Sequence, residues 1–269
     1  MLPYTFLSPA KLNLFLRIIK KLDDGYHQLQ SIMQLIGLYD VLQFEVTPTN
    51  NIVIKSNVGE IANENNLIYK AARALQQMSK SVCGATIYLH KNIPMQAGLG
   101  GGSSNAATTL LALNKLWKLN VNKDTLAGVA KTLGADVPFF IYQQNAVVGG
   151  IGEKILQYIN LPKCYYLIVK PSFSISTEII FRSKHLTFKP ELDVQSILNS
   201  EPKNDCLRVV LKEYPAMQDL LESVSGIADF HLTGTGSCIF TQCKSYVEAL
   251  SIQKQLPILQ TYIAANITG

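Results

Sequence analysis

The stretch Pro94-Met95-Gln96-Ala97-Gly98-Leu99-Gly100-Gly101-Gly102-Ser103-Ser104 runs directly into Asn105-Ala106-Ala107-Thr108-Thr109-Leu110-Leu111-Ala112-Leu113. Glycine admits positive φ and lets backbone N–H groups come close to a ligand. The helix predicted for the second segment presents unpaired N–H donors and the positive end of its dipole at the same point. Together they read as an anion site, with phosphate the expected guest. Ala106, Leu110, Leu113 and Trp117 share one buried helical stripe. Upstream, Ala85-Thr86-Ile87-Tyr88-Leu89-His90-Lys91 alternates as a half-buried strand does. Strand, glycine loop and helix is the order a phosphate site needs, yet neither common pattern fits. No Gly-Lys-Ser/Thr follows the loop, and the GxGxxG register begun at Gly98 meets Ser103 where the last glycine belongs. A different class of nucleotide loop is indicated.

The chain has 269 residues, 48% hydrophobic and 16% charged, the composition of a globular protein with ample core for two moderate domains. A net charge of +5 is mild, and the largest basic cluster, Arg17 with Lys20 and Lys21, reads as a solvated strand end. A small anionic substrate suits this balance better than nucleic acid. Cys83, Cys164, Cys206, Cys238 and Cys243 form no CxxC pair, so reduced thiols are expected rather than zinc or a disulfide framework. No leader or membrane-length apolar segment is read, and a cytoplasmic protein is expected.

Strands are expected over residues 11–19, 40–46 and 52–56, and helices over 66–79 and 123–133. The first helix carries Leu67, Ala71, Ala74, Leu75 and Met78 at helical spacing; the second carries Leu126, Val129, Ala130 and Leu133, with Gly134 as its stop. A buried strand from Cys164 to Lys170, ended by Pro171, opens a second set that closes with a helix over 247–255. The mixed order gives an α+β fold, with domains over 1–158 and 159–269.

Three further constellations carry polar groups. In Lys11-Leu12-Asn13-Leu14-Phe15-Leu16, a strand would place Leu12, Leu14 and Leu16 on one face and Lys11 with Asn13 on the other, where they line a pocket or simply face solvent. Leu133-Gly134-Ala135-Asp136-Val137-Pro138-Phe139-Phe140 sets one carboxylate beside an apolar run, as a general base or as a helix or turn cap. Leu232-Thr233-Gly234-Thr235-Gly236-Ser237 is a second small-residue loop, which either closes over a phosphate or turns a hairpin.

Taken in order, Ser8-Pro9-Ala10-Lys11-Leu12-Asn13-Leu14, Gly98 to Ser104, Leu133 to Phe139 and Leu232 to Ser237 resemble the galactokinase, homoserine, mevalonate and phosphomevalonate (GHMP) kinase superfamily across nearly the whole chain. Asp24-Gly25-Tyr26-His27-Gln28-Leu29 resembles the branch that acts on a cytidine diphosphate derivative of methylerythritol in the non-mevalonate isoprenoid route. The resemblance implies a two-domain GHMP kinase fold, with an N-terminal domain like the second domain of ribosomal protein S5 and a ferredoxin-like C-terminal domain. It implies transfer of the γ-phosphoryl of ATP to the substrate's tertiary 2-hydroxyl, with Mg2+ accompanying ATP and no carboxylate ligand assignable to the metal.

By the same resemblance Asp136 is the base, and Lys11 lowers the pKa of the attacked hydroxyl. Asn13 binds the erythritol portion. Tyr26 stacks on cytosine, His27 hydrogen-bonds its edge, and Phe181 lies opposite. Gly98, Leu99, Gly100, Gly101, Gly102, Ser103 and Ser104 wrap the ATP phosphates, while Asn66, Leu67 and Lys91 lie near adenine. His90, His185 and His231 lack such context. Gln96 and Ala97 depart from the smaller residues common ahead of Gly98. The implied partner is a small molecule, not nucleic acid or membrane, and the chain is a monomer or weak homodimer. The alternatives are another small-molecule kinase of the superfamily, a non-catalytic nucleotide-binding protein on the same fold, and a nucleic-acid-binding module.

Overall fold

The structure is a computed structural model in which residues 3–59, 63–257 and 259–268 are described. In chain order its first elements are β1 (Tyr4–Lys21), β2 (His27–Thr47), β3 (Ile52–Ser56), α1 (Leu67–Ser79), β4 (Gly84–His90), α2 (Gly101–Leu116), α3 (Lys123–Leu133) and α4 (Val137–Tyr142). They are followed by β5 (Ala146–Gly149), β6 (Lys154–Tyr158), β7 (Tyr165–Lys170), α5 (Thr177–Arg182), α6 (Val194–Leu198) and β8 (Lys203–Asn204). The last are α7 (Leu207–Glu213), α8 (Pro215–Ser223), β9 (His231–Leu232), β10 (Ile239–Cys243), α9 (Tyr246–Gln253) and β11 (Gln260–Ala265). The mixture of helices and sheets is the expected α+β class.

Two compact units contain these elements: Met1–Ala10, Tyr39–Ile93 and Gly100–Gln143 in the first, and Lys11–Leu38, Pro94–Leu99 and Gln144–Gly269 in the second. The units divide the chain at more points than a single boundary near residue 158, because β1 and β2 each contribute residues to both.

In the first unit β4 lies between β3, which is parallel to it, and the far half of β2, which is antiparallel. Leu42, Phe44, Ala85 and Ile87 are fully buried, so β4 alternates as its sequence reads. α1 packs on α2, and α2 on α3 and α4. With helices around it, α2 is buried nearly all round, including Ala106, Ala107, Thr109, Leu110, Ala112 and Leu113. α1 departs from expectation: its buried residues are Ile68, Ala71, Ala72, Leu75 and Gln76, while Met78 is exposed. Two stripes of helical spacing overlap here, and the one containing the small pair Ala71–Ala72 is turned inward.

In the second unit β7, β9, β10 and β11 form an antiparallel sheet in the order β11-β7-β10-β9. Numbered along the chain these strands lie 4-1-3-2, with helices between the first and second and α9 between the third and fourth, the split βαβ arrangement of ferredoxin-like domains. Val169, Ile239, Val209, Val210 and Met217 form its main core with Leu16 and Ile18 of β1. The near half of β2 pairs with β5, and β1 pairs in parallel with β8.

The first two strands are longer than their alternation suggests. Residues 27–36 are buried at almost every position, and the polar Gln30, Ser31 and Gln34 lie inside with the apolar ones. Gln30 exchanges hydrogen bonds with Leu192, its Nε2 donating to the carbonyl at 2.7 Å and its Oε1 accepting from the N–H at 2.9 Å. Buried polar residues that find partners erase the period of two.

Candidate active site

Lys11 and Asn13 share a face of β1, and that face is not solvated. Their exposures are 4% and 3%. The Lys11 ammonium donates to Asn13 Oδ1. Asn13 Nδ2 donates to Ser31 Oγ at 2.7 Å, whose hydroxyl donates to the Phe15 carbonyl at 2.5 Å. The pair is thus set in a chain of polar contacts that orients both side chains.

Lys11 also reaches the glycine segment, since its backbone N–H donates to the Leu99 carbonyl at 3.0 Å. One residue earlier Gly98 has φ +75°, and a Cβ there would lie 2.2 Å from the Thr233 carbonyl oxygen. The Ala97 carbonyl accepts from Cys238 N at 3.2 Å. Of the two readings of residues 232–237, the structure shows the hairpin turn. Thr233 N donates to the Cys238 carbonyl, β9 pairs with β10, and Gly234 takes φ +57°. Asn204 Nδ2 braces that turn through the Leu232 and Gly234 carbonyls at 2.9 and 2.8 Å, and Asn13 N donates to Thr233 Oγ1 at 2.9 Å. Three motifs far apart in sequence therefore meet within the second unit. Burial, then neighbouring Asp205, pushes the Cys206 thiol up to about 12 against the pull of Lys11, and burial pushes Cys238 to about 12 as well, so neither supplies a thiolate at neutral pH.

In the first unit the remaining glycines open α2. Gly100 is its N-cap with φ +69°, and Ser104 N donates back to the Gly100 carbonyl at 2.9 Å. Gly101, Gly102 and Ser103 are already helical, which corrects the reading of the run through Ser104 as a loop. Their N–H groups occupy the first turn, which has no intrahelical acceptors, carries no acidic residue and has no side-chain cap. This is the uncompensated positive end an anion requires.

Leu67 lies beside this turn, its Cδ1 being 3.7 Å from where a Gly102 Cβ would sit. Asn66 caps α1, accepting from Ile68 N at 2.8 Å. Lys91 Nζ is paired with the fully buried carboxylate of Asp40 and would lie 3.0 Å from a Gly101 Cβ. Asp136 holds the N-cap position of α4, and its side chain makes no capping hydrogen bond there.

A third locus lies in the second unit, where Lys21, His27, Phe181, Arg182, Lys184 and Phe188, with Ser183 and Leu186, line a pocket of about 600 Å3. His27 is 6% exposed. Its ring stacks on Phe181 with centroids 5.1 Å apart and on Phe188 at 6.0 Å. Burial, and secondarily Lys21, holds its pKa below the ordinary histidine value, so the ring is neutral at pH 7. Tyr26, at 57% exposure, is not among the lining residues.

Sequence reasoning missed Phe188, Asn204 and Asp40. Asp40 left a signal, a carboxylate interrupting the apolar run Leu38-Tyr39-Asp40-Val41-Leu42. Among the described residues no three His, Cys, Asp or Glu side chains gather as a metal site. Among the described residues no helix is long and apolar enough to cross a membrane.

Residues 66–144 match the family described as GHMP kinases N terminal domain. A mevalonate kinase from Methanococcus jannaschii superposes over 99% of each chain with a TM-score of 0.70 at 14% identity, a likeness of fold. The matched segment and the fold are those of GHMP-type kinases. The 4-diphosphocytidyl-2-C-methyl-D-erythritol kinase of Haemophilus influenzae (strain 86-028NP) is 43% identical over 257 residues, 95% of this chain and 82% of that protein. A crystal structure of 4-(cytidine 5'-diphospho)-2C-methyl-D-erythritol kinase superposes with a TM-score of 0.81 at 27% identity, over 99% of this chain and all of the other. The chain belongs to the 4-diphosphocytidyl-2-C-methyl-D-erythritol kinase family.

Proposed function

We propose that this chain transfers the γ-phosphoryl group of ATP to the 2-hydroxyl of 4-diphosphocytidyl-2-C-methyl-D-erythritol, giving the 2-phosphate and ADP, in the non-mevalonate route to isoprenoid precursors. Membership of the family supports the reaction. The observation that carries the site is the uncapped, acid-free first turn of α2. Phosphates of ATP bind to the N–H groups of Gly101, Gly102 and Ser103, with Ser104 next to them and Leu67 on the nucleoside side. The engagement of Lys91 with Asp40 argues for a supporting role rather than direct contact with adenine.

As the γ-phosphorus leaves the bridging oxygen of ADP and bonds to the 2-hydroxyl oxygen, the hydroxyl proton passes to Asp136. Lys11 stabilises the developing alkoxide, and Asn13 keeps the lysine in register while binding the erythritol portion. Gly98 and Leu99 fix the start of the phosphate segment. His27, stacked on Phe181, offers a neutral ring nitrogen to the cytosine edge, Tyr26 covers the base, and Lys21, Arg182 and Lys184 supply positive charge to the diphosphate.

Magnesium would accompany ATP and neutralise charge on its phosphates; among the described residues no three His, Cys, Asp or Glu side chains gather to hold it apart from the nucleotide. No step here is routed through the metal. Five free thiols and dependence on ATP support a cytoplasmic setting, where the enzyme acts on small molecules as a monomer or weak homodimer. The test is ADP formation with and without the cytidine diphosphate substrate, set beside mevalonate and homoserine. Turnover with the first acceptor alone is expected, and equal turnover with the others would overturn the assignment.

A further inference from the structure

The carboxylate of Asp40 is fully buried, lies outside every motif discussed above, and accepts four hydrogen bonds. Its Oδ1 receives the N–H groups of Asn92 and Ile93, both at 2.8 Å. Its Oδ2 receives the Lys91 ammonium and Asn105 Nδ2, the latter at 2.9 Å. Asn105 Nδ2 also donates to Ser8 Oγ at 2.9 Å, and the Ser8 hydroxyl donates to Ser104 Oγ at 2.8 Å. Lys91 makes a further contact with Asn105 Oδ1 at 3.4 Å. All of these residues belong to the first unit.

The network has a direction. Ser104 and Asn105 immediately follow the three residues whose N–H groups have no intrahelical acceptor at the start of α2, and both are pinned through hydroxyl or amide contacts that lead back to Asp40. On the other side, Lys91 and Ile93 press on Gly101, where a Cβ would meet Nζ at 3.0 Å and Cγ2 at 3.1 Å. Asp40 therefore fixes the turn after β4 and the first turn of α2 to one acceptor, and it holds a cation just beneath Gly101. A buried ion pair is poor value as pure stabilisation, since apolar residues of similar volume usually do as well or better. Its worth here lies in geometry.

We infer that Asp40 is a positioning residue for ATP: it sets the aim of the Gly101–Ser103 N–H groups and the place of the Lys91 charge without touching the nucleotide. The inference rests on the ATP reading given above.

Two variants test it by calorimetric titration of ADP and, separately, of the cytidine diphosphate substrate. Asp40→Asn keeps shape but turns an amide donor toward the Lys91 and Asn105 donors. It should weaken ADP binding about ten- to hundredfold, the scale of losing an oriented supporting group, with cytidine-substrate affinity within about twofold. Ser8→Ala removes only the relay to Ser104, and should weaken ADP about three- to tenfold, the worth of one net hydrogen bond. Should Asp40→Asn fail to fold, Ser8→Ala decides. Wild-type ADP affinity in a folded Asp40→Asn protein or in Ser8→Ala, or equal losses for both ligands, would overturn the inference. Failure of the unmodified chain to bind ADP would instead overturn the ATP reading.

Discussion

Replacing Gly98 with alanine asks whether the glycine segment is held by its neighbours or merely turns. The new Cβ would stand 2.2 Å from the Thr233 carbonyl oxygen and 3.1 Å from that of Gly236. Real Cβ contacts do not fall below 3.0 Å, so at least 0.8 Å (3.0 minus 2.2) must be found by backbone movement. The obstructing oxygen cannot yield freely, because it accepts from Gly236 N at 3.0 Å and its residue is tied through Thr233 N to Cys238. A positive φ at alanine adds about 1 kcal/mol, overpacking about 2, and one disturbed buried hydrogen bond about 1, or roughly 4 kcal/mol together. For a chain of this size that lowers the melting temperature by about 8–16 °C. Gly128→Ala on α3 is the control: nothing lies within 4 Å of its Cβ and its φ is not positive, so stability should rise by up to about 1 kcal/mol. Thermal denaturation of the two variants beside the parent is the assay. Equal melting of Gly98→Ala and Gly128→Ala would show that the packing of Gly98 on the hairpin constrains nothing.

Asp136→Asn should lower turnover at least ~100-fold with ADP affinity unchanged, and Lys11→Met should behave alike, with the double variant no worse than the poorer single, because the two act as a unit. Losses that add would break that coupling. A uridine diphosphate analogue should be a much poorer acceptor than the cytidine substrate, since its donor and acceptor pattern is reversed and leaves buried groups unpaired; equal rates would remove His27 from base recognition. His27 binds a proton less readily in the folded chain than in the unfolded one, whose value is 6.5. Its contribution to stability is therefore whole above 6.5, falls as pH drops from there toward the folded value, and does not fall further below it. KM for the cytidine substrate should accordingly be flat from pH 8 to 7 and rise under acid conditions, and a His27→Asn variant retaining the same acid limb would assign that limb elsewhere.

What the chain discloses before folding depends on whether a residue's surroundings are local. Gly98 to Ser104, Lys11 with Asn13, and Asp136 are legible because glycine runs and charges beside apolar stretches are visible within a dozen residues. α3 is legible to the residue, since Asn122 caps it and Gly134 stops it. Residues 27–36 are not, because Gln30, Ser31 and the amide nitrogen of Gln34 hydrogen-bond to partners more than a hundred residues away or on another strand, and their burial leaves no alternation to read. Phe188 stacks on His27 across 161 positions of chain, and nothing near it in sequence distinguishes it from any half-exposed aromatic. The stripe of α1 was ambiguous because two helical faces overlap, and only the packing partner chooses between them.

The glycines of the loop are required for different reasons, and one of them separates fold from ligand. Gly98 and Gly100 need positive φ, and Gly101 is crowded by Lys91 and Ile93. Gly102 is helical, and its absent Cβ would meet only Leu67 Cδ1 at an ordinary 3.7 Å. The folded chain alone has no use for glycine there; alanine should stabilise α2 by up to about 1 kcal/mol. If phosphate oxygens approach the first turn, however, a methyl group at Gly102 intrudes on the approach that a bare backbone permits. Gly102→Ala is thus expected to melt higher than the parent while binding ADP more weakly by about tenfold or more, in line with the loss of well-placed contacts to an anion. Destabilisation cannot produce that combination. Parental ADP affinity in a more stable Gly102→Ala protein would mean that the phosphates do not reach this turn.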